Sequence, residues 1–555
     1  MKKRKKKLTV KKKVIKKITK EVVQAAASQE EQELIQDDAA IGKHAVRMAE
    51  KQREISVSEF FLKNRHLLGF DNPKKALLTT IKEGVDNSLD ACEEAKIHPE
   101  IGVEIVQLQE DRFRIVIEDN GPGIVKEQIP KIFGKLLYGS KFHTMKQARG
   151  QQGIGISSAG MYGQLTTGQP IKIYSKVAHR TDSHYFEIHI DTNKNVPVVL
   201  KDEIVDWKKN HGIKVIIELE GKYQQGNHSV DDYVRQVVVA NPHVVIKYLK
   251  PTGEEVLYKS AVKQLPKEPL EIKPHPHGVE LGILMKMLKS TRAKRIKSFL
   301  TTEFSRLTSG TARQILKAAN ISEIAWPSRI AHQEADDLYK AINQVKIMNP
   351  PTNCLSPIGE ENILKGLKKE IPADFYAAVT RAPSVYRGNP FQIEAGVAYG
   401  GDLPKEELVE VMRFANRVPL LYQQSGCAIA KSIVQTMWKN YGMDQSRGAL
   451  PTGPAVIFVH IASVWVPFTS ESKEAVASYP EIIKETKLAL QDCGRKLGAF
   501  IKRGVREAEL EAKKSYIESY IPHIGIALQE ILKLKEKDEK KVVSLLTAIL
   551  EKKRI

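Results

Sequence analysis

Residues 83–91 read EGVDNSLDA and follow the apolar run ALLTTI at 76–81. Glu83, Asn87 and Asp90 are spaced by four and three residues, which places all three side chains on one face of a helix. Apolar residues repeat at helical spacings on the opposite side: Leu78, Ile81, Val85 and Cys92. The stretch therefore predicts an amphipathic helix whose polar face carries acids and an amide.

Gly84 lies inside this helix, where glycine costs about 1 kcal/mol relative to alanine. The close approach of another part of the protein at that point would explain it. The polar face has two interpretations: an ordinary solvent-exposed face, as most surface helices have, or part of a functional site. The helix alone does not decide between them, so the decision depends on motifs further along the chain.

Composition sets the class of protein. A chain of 555 residues predicts several domains, and 42% hydrophobic with 28% charged residues is typical of a soluble globular protein. We find no apolar run of about 18 residues, so no membrane partner is expected. The cysteines are scattered without a CxxC pair, which argues against a disulfide framework or a zinc site and favours a reducing compartment: Cys92, Cys354, Cys427 and Cys493.

The first twenty residues carry twelve Lys and Arg and no acid. Without them the formal net charge falls from +21 to +9. Such a block is typically disordered and binds polyanions, so it is either a solubilising tail or a nucleic-acid-binding arm. It lacks the apolar stretch of a signal peptide, and it would act in nuclear import only in a eukaryote.

Alternating and β-branched patterns predict strands within a mixed region from about 51 to 265. Pro-rich segments at 265–277 and 349–359 predict breaks on either side of an almost entirely helical stretch. A strand returns at 456–468, and helical patterns run from 474 to about 550. The predicted strands of the first region are 103–108, 112–119, 171–177, 185–190 and 213–220. The fold class is thus multidomain α+β.

The strand RFRIVIED runs directly into DNGPGI, residues 119–124. Gly121 and Gly123 flank a proline, which predicts a tight turn that presents Asp119 at the strand end. An aspartate held there can accept a hydrogen bond from an exocyclic amine such as that of adenine. An ordinary hairpin turn would have the same sequence, so this motif alone leaves both interpretations open.

Four glycines occur in RGQQGIGISSAG, residues 149–160, before small residues that can begin a helix. A glycine-rich loop that enters a helix N-terminus can bind phosphate through free backbone N–H groups and the helix dipole. The pattern is neither GxxxxGK[ST] nor a dinucleotide-binding GxGxxG. Taken singly it is a weak signal.

The three motifs together, in this order, resemble the GHKL ATPase superfamily, which includes gyrase B and the histidine kinases. The resemblance implies an ATP site on an α/β sandwich. In it Glu83 would be the general base for the attacking water, Asn87 would bind Mg²⁺, and Asp119 would recognise adenine. The loop around the phosphates would comprise Gly150, Gln151, Gln152, Gly153, Ile154, Gly155, Ile156 and Ser157. No chemical role is implied for Asp90, which would lie behind the site or on the helix surface.

Longer segments resemble the B subunits of type IIB DNA topoisomerases, the topoisomerase VI family: 60–95, 132–168, 274–282 and 466–477. The similarity covers about residues 55–520. Ser140 and Lys141 match positions that line the nucleotide site, and Lys473 matches a loop lysine that reaches the γ-phosphate; without the family it would be an ordinary surface lysine. The implied segments are a basic arm and connector (1–50), a GHKL domain (51–272), a helix-two-turns-helix domain (273–352), a transducer with a long C-terminal helix (353–530) and a charged tail (531–555).

The resemblance implies an ATP-driven subunit that dimerises on binding ATP and Mg²⁺. It would control the passage of one DNA duplex through a second duplex. The second duplex would be cut by a partner A subunit, and the two kinds of subunit would form an A2B2 heterotetramer. The chain lacks the EGDSA motif of gyrase B, so it is not expected to cut DNA alone. A cytoplasmic, nucleoid-associated location is implied, or a nuclear one in a eukaryote.

Two alternatives remain. One is another GHKL ATPase, either a mismatch-repair-like clamp or a histidine-kinase-type phosphotransferase. A kinase needs an acceptor histidine before the ATP domain, and His44 is the sole histidine before residue 50. Its context, GKHAVRMAEKQRE, lacks the acid that follows the acceptor in such kinases. The other alternative is a non-catalytic nucleic-acid scaffold that uses the basic arm, which would leave the three motifs unexplained.

Overall fold

The structure is a computed structural model that describes residues 16–22, 41–141, 144–150, 153–533 and 535–552. The chain divides into two units, Met1–Phe60 and Phe61–Ile555. Within the first unit, residues 16–22 and 41–50 are helical. The rest of the predicted basic arm and connector lies outside the described residues. Helix α1 follows at Val57–Lys63.

The first half of the large unit is built on an eight-stranded sheet in the order β5-β4-β3-β6-β2-β1-β7-β8. Strands β1 and β7 are parallel, and the other neighbouring pairs are antiparallel. All five strands predicted in this region are confirmed within a few residues. The bounds are β1 Glu100–Gln107, β2 Arg112–Asp119, β3 Ile171–Lys176, β4 Ser183–Asp191, β5 Val196–Val205, β6 Gly212–Glu220, β7 Val245–Leu249 and β8 Glu255–Tyr258.

Helix α2, Pro73–Glu94, confirms the helix predicted from EGVDNSLDA. Its start is defined by Asn72, whose side chain accepts a hydrogen bond from the Lys75 N–H at 2.9 Å, and by a proline in the first turn. The predicted apolar residues are all buried against the sheet: Leu78, Ile81, Val85 and Cys92. A Cβ on Gly84 would lie 2.1 Å from Cδ1 of Ile117, so glycine lets α2 pack closely on β2 without displacing that side chain.

Three further helices complete this part of the unit, and they share one hydrophobic core with α2 and the sheet. Helix α4 begins in the predicted glycine-rich loop, so the predicted helix start there is confirmed. Helix α5 begins at Ser229, whose hydroxyl accepts a hydrogen bond from the Asp232 N–H at 3.1 Å. The bounds are α3 Ile129–Gly134, α4 Gly155–Thr167 and α5 Val230–Ala240.

Of the Pro-rich break predicted at 265–277, residues 265–275 form neither helix nor strand, and Pro276–Gly278 form a short 3-10 turn. The helical stretch that follows has its own core, centred on Phe299, Leu300, Ile315 and Leu338, which are essentially inaccessible to solvent. This core is separate from the one shared by α2 and the first sheet. Its helices are α6 Leu281–Ser290, α7 Ile296–Glu303, α8 Ser309–Ala318 and α9 His332–Gln344.

A second sheet follows, in the order β10-β11-β16-β12-β13, with β9 also paired to β11. Only its strand β16 is among the predicted strands. Helices α10 Glu360–Glu370 and α11 Ala428–Gln435 pack on the sheet. The strands are β9 Phe375–Thr380, β10 Ser384–Tyr386, β11 Asn389–Tyr399, β12 Glu410–Ala415, β13 Val418–Pro419 and β16 Ala455–Ser463, and β14 Asp444–Gln445 pairs with β15 Pro451–Thr452.

Helix α12 spans 53 residues, Pro480–Leu532, and helix α13, Glu536–Lys552, packs beside it. The buried side chains in the first part of α12 belong to the core of the second sheet and extend to Gly498. In the described part of the chain, no helix combines the length and the apolar character needed to span a membrane. The residue boundaries predicted for the domains stay predictions.

Candidate functional site

A cavity of ≈ 700 Å³ lies where helix α2, the end of β2 and the start of α4 meet two segments of the second sheet's domain, 419–422 and 471–474. Gln151 and Gln152 lie outside the described residues. Every other residue predicted for the site lines the cavity: Glu83, Asn87, Asp119, Ser140, Lys141, Gly150, Gly153, Ile154, Gly155, Ile156, Ser157 and Lys473. The structure thus brings together side chains that are up to about 390 residues apart in the sequence.

The carboxylate of Glu83 lies against the first residue of α4. A Cβ on Gly155 would lie 1.7 Å from Oε2 of Glu83, so only glycine leaves room for the carboxylate there. One turn along α2, Asn87 is exposed, and a Cβ on Gly150 would lie 3.7 Å from its Oδ1. The two polar side chains of α2 therefore face the two ends of the glycine-rich loop, residues 150–157.

Asp119 is held at the end of β2 by three hydrogen bonds. Its Oδ2 accepts from the Ser88 hydroxyl at 2.6 Å, and its Oδ1 accepts from the N–H groups of Gly121 at 2.9 Å and Ile213 at 3.2 Å. Burial raises the pKa of this carboxyl above its usual value, although these bonds oppose the increase. An oxygen that accepts one bond has a second lone pair for an exocyclic amine. Apolar side chains beside it line the cavity and suit a flat ring: Ala91, Ile124, Ile213 and Val215.

Asp90 is buried and belongs to an ion-pair cluster, so the helix-surface interpretation is wrong and it lies behind the site. Its Oδ2 pairs with Nζ of Lys141 at 2.8 Å, and its Oδ1 accepts from Nη1 of Arg149 at 2.9 Å. Burial acts to raise the pKa of Asp90, but the charges of Lys141 and Arg149 outweigh it and hold the pKa below its usual value. Lys141 therefore lines the cavity with its ammonium group bound to Asp90. Ser140 beside it is exposed.

The 471–474 loop reaches the cavity from the second sheet's domain. Lys473 has a φ of 53°, which is uncommon for a residue with a side chain, and its Nζ donates to the backbone oxygen of Arg149 at 3.4 Å. Glu474 pairs with Lys75 of α2 at 2.5 Å. The Lys75 ammonium also lies 5.4 Å from the ring centroid of Tyr422. The domain that carries Lys473 thus closes one side of the cavity.

Sequence reasoning missed three of these lining residues, Lys75, Tyr422 and Glu474. Lys75 and Glu474 are almost buried, with 12% and 6% of their side chains exposed. A buried pair of this kind is costly to break because it would leave one charge uncompensated. No local pattern marks either residue, since the partners lie in different domains and about 400 residues apart.

The start of α4 supplies backbone N–H groups that have no partner within the helix. Because this helix end lines the cavity, it can bind an anion through those groups and the helix dipole. Glu83 beside it can orient or deprotonate a water molecule. Among the described residues, no group of three or more His, Cys, Asp or Glu side chains is arranged to hold a metal ion. Asn87 presents a side-chain oxygen to the cavity beside Gly150, and such an oxygen is a suitable ligand for a hard cation.

Two family models match the chain. Residues 72–194 match the histidine kinase-, DNA gyrase B- and HSP90-like ATPases, and residues 350–513 match the transducer of the topoisomerase VI B subunit. The first match contains every predicted site residue except Lys473, which lies in the second. The fold is therefore a GHKL ATPase domain in a multidomain α+β chain.

Similar proteins are also topoisomerase subunits. The B subunit of type 2 DNA topoisomerase 6 from Methanococcoides burtonii is 49% identical over 88% of this chain and 79% of its own length. The protein of that name from Archaeoglobus fulgidus is 47% identical over 92% and 84%, and the one from Natronomonas pharaonis is 35% identical over 88% and 84%. The chain belongs to the family of type 2 DNA topoisomerase 6 B subunits.

Proposed function

We propose that this chain binds ATP with Mg²⁺ in the cavity and hydrolyses it, as the ATP-driven subunit of a type IIB DNA topoisomerase. The observation that carries the proposal is the contact of the Glu83 carboxylate with Gly155 at the start of α4. It places a potential general base directly beside a helix end that is suited to phosphate. Family membership supports the same activity.

The nucleotide would lie with its base against Asp119 and its phosphates at the glycine-rich loop. Asp119 would accept a hydrogen bond from the exocyclic amine through its remaining lone pairs, and its fixed orientation would favour adenine. The backbone N–H groups of Gly153–Ser157 and the Lys473 ammonium would contact the phosphate oxygens. The site would thus hold ATP by its two ends.

Asn87 would contribute the protein's oxygen ligand to Mg²⁺, because its side chain is exposed to the cavity beside Gly150. The bound ion supplies positive charge to the phosphate oxygens. Glu83 would hold a water molecule in line with the terminal phosphate and accept its proton. The N-terminus of α4 and Lys473 would stabilise the negative charge that develops on that phosphate.

Lys473 would also couple hydrolysis to the rest of the protein. Its contact with the terminal phosphate would exist before hydrolysis and be lost afterwards, so the domain that carries it would be held in one orientation only with ATP bound. We propose that two chains dimerise on ATP and act with a DNA-cleaving A subunit, as an A2B2 complex, on double-stranded DNA. A nucleoid-associated location in the cytoplasm fits this activity.

The test is the substitution Glu83→Gln, which keeps the size of the side chain but removes the base. We expect ATP to bind with nearly unchanged affinity while turnover falls by about 10²-fold or more. Glu361→Gln is the matched control, because Glu361 is exposed on α10 and forms a surface ion pair with Lys365 one turn away. If the Glu83 variant hydrolyses ATP at nearly the control rate, the assignment of the general base is wrong.

A further inference from the structure

The three residues before the glycine-rich loop, Gln147–Arg149, form hydrogen bonds with helix α2 on one side and with the second sheet's domain on the other. On one side the buried guanidinium of Arg149 makes four hydrogen bonds. Nη1 donates to Asp90 Oδ1 at 2.9 Å and to Glu93 Oε2 at 2.8 Å, and Nη2 donates to Glu93 Oε1 at 2.7 Å and to Asn241 Oδ1 at 2.6 Å. A two-pronged contact of this kind fixes the orientation of the side chain as well as its position.

This cluster keeps its charges. Burial disfavours the charged guanidinium, but Glu93 and Asp90 outweigh that effect and raise the pKa of Arg149. The same contacts, with a further one from His243 at 2.8 Å, hold the pKa of Glu93 below its usual value despite burial. The ion pairs are therefore present throughout the physiological pH range.

Both carboxylates belong to α2, the helix that carries Glu83 and Asn87. Asp90 is two helical turns after Glu83, on the same face. A single rigid helix therefore provides the predicted base at one point and the anchor of Arg149 at another. The distance between the base and the entrance of the glycine-rich loop is set by that helix.

On its other side the segment contacts the second sheet's domain. Asn416 Nδ2 donates to the backbone oxygen of Ala148 at 2.9 Å, and Lys473 Nζ donates to that of Arg149 at 3.4 Å. The side-chain amide of Gln147 exchanges two hydrogen bonds with the backbone of Ser356, at 2.7 and 3.2 Å. The segment is therefore one place where α2, the glycine-rich loop and the second sheet's domain are joined.

We propose that Arg149 is a positioning residue for ATP hydrolysis. It does not line the cavity, so its side chain acts through the backbone that it holds. By fixing that backbone to α2, it aligns the glycine-rich loop with Glu83 and presents its own carbonyl oxygen to Lys473. This inference rests on the proposed ATPase function and adds a residue to it.

The test uses the full chain with Arg149→Lys, which keeps the positive charge but loses the two-pronged contact with Glu93. We expect kcat for ATP to fall by about tenfold or more, since a full 1 Å misplacement of a catalytic group can cost about 10²-fold. The dissociation constant for ADP should stay within about threefold, because the contacts of Asp119 are untouched. A merely structural role would lower the unfolding temperature and leave kcat unchanged, and that result would overturn the proposal.

A double variant tests whether Arg149 and Lys473 act together. If both act through the same contact, adding Lys473→Ala to Arg149→Lys should reduce kcat little beyond the lower of the two single variants. Two independent losses that multiply would overturn the part of the proposal in which the carbonyl oxygen of Arg149 positions Lys473. Should Arg149→Lys not fold, Glu93→Gln replaces it, since it keeps the size and one oxygen facing Arg149; a normal kcat in that variant would overturn the proposal equally.

Failure of this inference can be distinguished from failure of the ATPase proposal by the Glu83→Gln variant. If Glu83→Gln is inactive and Arg149→Lys is normal, the general base stands and the positioning role is wrong. If Glu83→Gln is active, the assignment of the base itself is wrong, whatever Arg149 does.

Discussion

The contact between Gly155 and Glu83 predicts that one substitution, Gly155→Ala, abolishes ATP hydrolysis without unfolding the protein. In Gly155→Ala the new methyl group would lie 1.7 Å from Glu83 Oε2, and real Cβ atoms do not approach heavy atoms closer than 3.0 Å. The carboxylate would have to withdraw by more than about 1 Å, and it can do so because it ends a flexible side chain. The nearest atoms to the new methyl group all belong to the Glu83 side chain, so the backbone of α4 is expected to stay in place.

We expect the variant to be folded and inactive. Alanine is favoured over glycine in helices by about 1 kcal/mol, which offsets part of the cost of moving Glu83. The unfolding temperature should therefore stay within a few degrees of the parent value. Displacing a catalytic group by about 1 Å reduces turnover by about 10²-fold. The assay is steady-state ATP hydrolysis by the full chain, with ADP affinity and thermal unfolding measured on the same preparation.

Gly282→Ala is the matched control. Gly282 also lies in the first turn of a helix, α6, and a Cβ there would meet no heavy atom within 4 Å. This variant should keep full activity. Turnover in Gly155→Ala close to that of the control would refute the inference that Glu83 must occupy the space beside Gly155 to act. A loss of ADP affinity together with a large drop in unfolding temperature would also refute it, because the change would then have damaged the whole cavity.

Three further variants probe two other residues of the site and a buried carboxyl of α2. Asn87→Ala should weaken Mg-dependent ATP binding about tenfold, as expected for losing one contact to a charged group, and titration with and without Mg²⁺ would show it. Lys473→Ala should reduce ATP hydrolysis about 10²-fold and leave ADP affinity unchanged. ADP titration and a decatenation assay with the A subunit check this, and normal decatenation or a loss of ADP affinity would contradict it. Asp86→Asn should stabilise the fold at pH 8 by at most about 4 kcal/mol, because burial raises the pKa of Asp86 from 3.8 to about 7. Ionising the buried carboxyl lowers the free energy of unfolding of the parent protein increasingly as pH rises from about 4 to 7. The extra stability of Asp86→Asn must therefore shrink towards low pH. Urea unfolding would contradict this if the extra stability were the same at every pH.

The parts of the site that could be predicted are those with local signals. Helix α2 has helical apolar spacing and an Asn-Pro start, and β2 alternates inward and outward residues before a turn. The glycine-rich loop is marked by closely spaced glycines before small residues that can begin a helix. Each of these features depends on neighbours within a few residues, so it is visible in the sequence.

The second sheet shows why other parts could not be predicted. Strand β11 is buried on both faces, so it has no alternating pattern, and it contains Glu394, which is typical of a surface residue. That carboxylate is fully buried and accepts a hydrogen bond from His460 Nδ1 at 2.8 Å and from two backbone N–H groups. Its partners are distant in sequence, and the same is true of Asp90 with Arg149. A buried charge is recognisable only when its partner is known.

Lys473 lies a few residues before the start of α12, and this position has a mechanical consequence. Only six residues separate this lysine from Pro480, where the 53-residue helix begins. The helix is packed against the core as far as Ile501, and the remaining 31 residues amount to about 47 Å of helix at 1.5 Å per residue. A tilt of 10° at the base would move the far end by about 8 Å. If the base of this rigid helix changed orientation together with the Lys473 loop, a small change beside the nucleotide cavity would be carried to the far end as a movement of several ångströms.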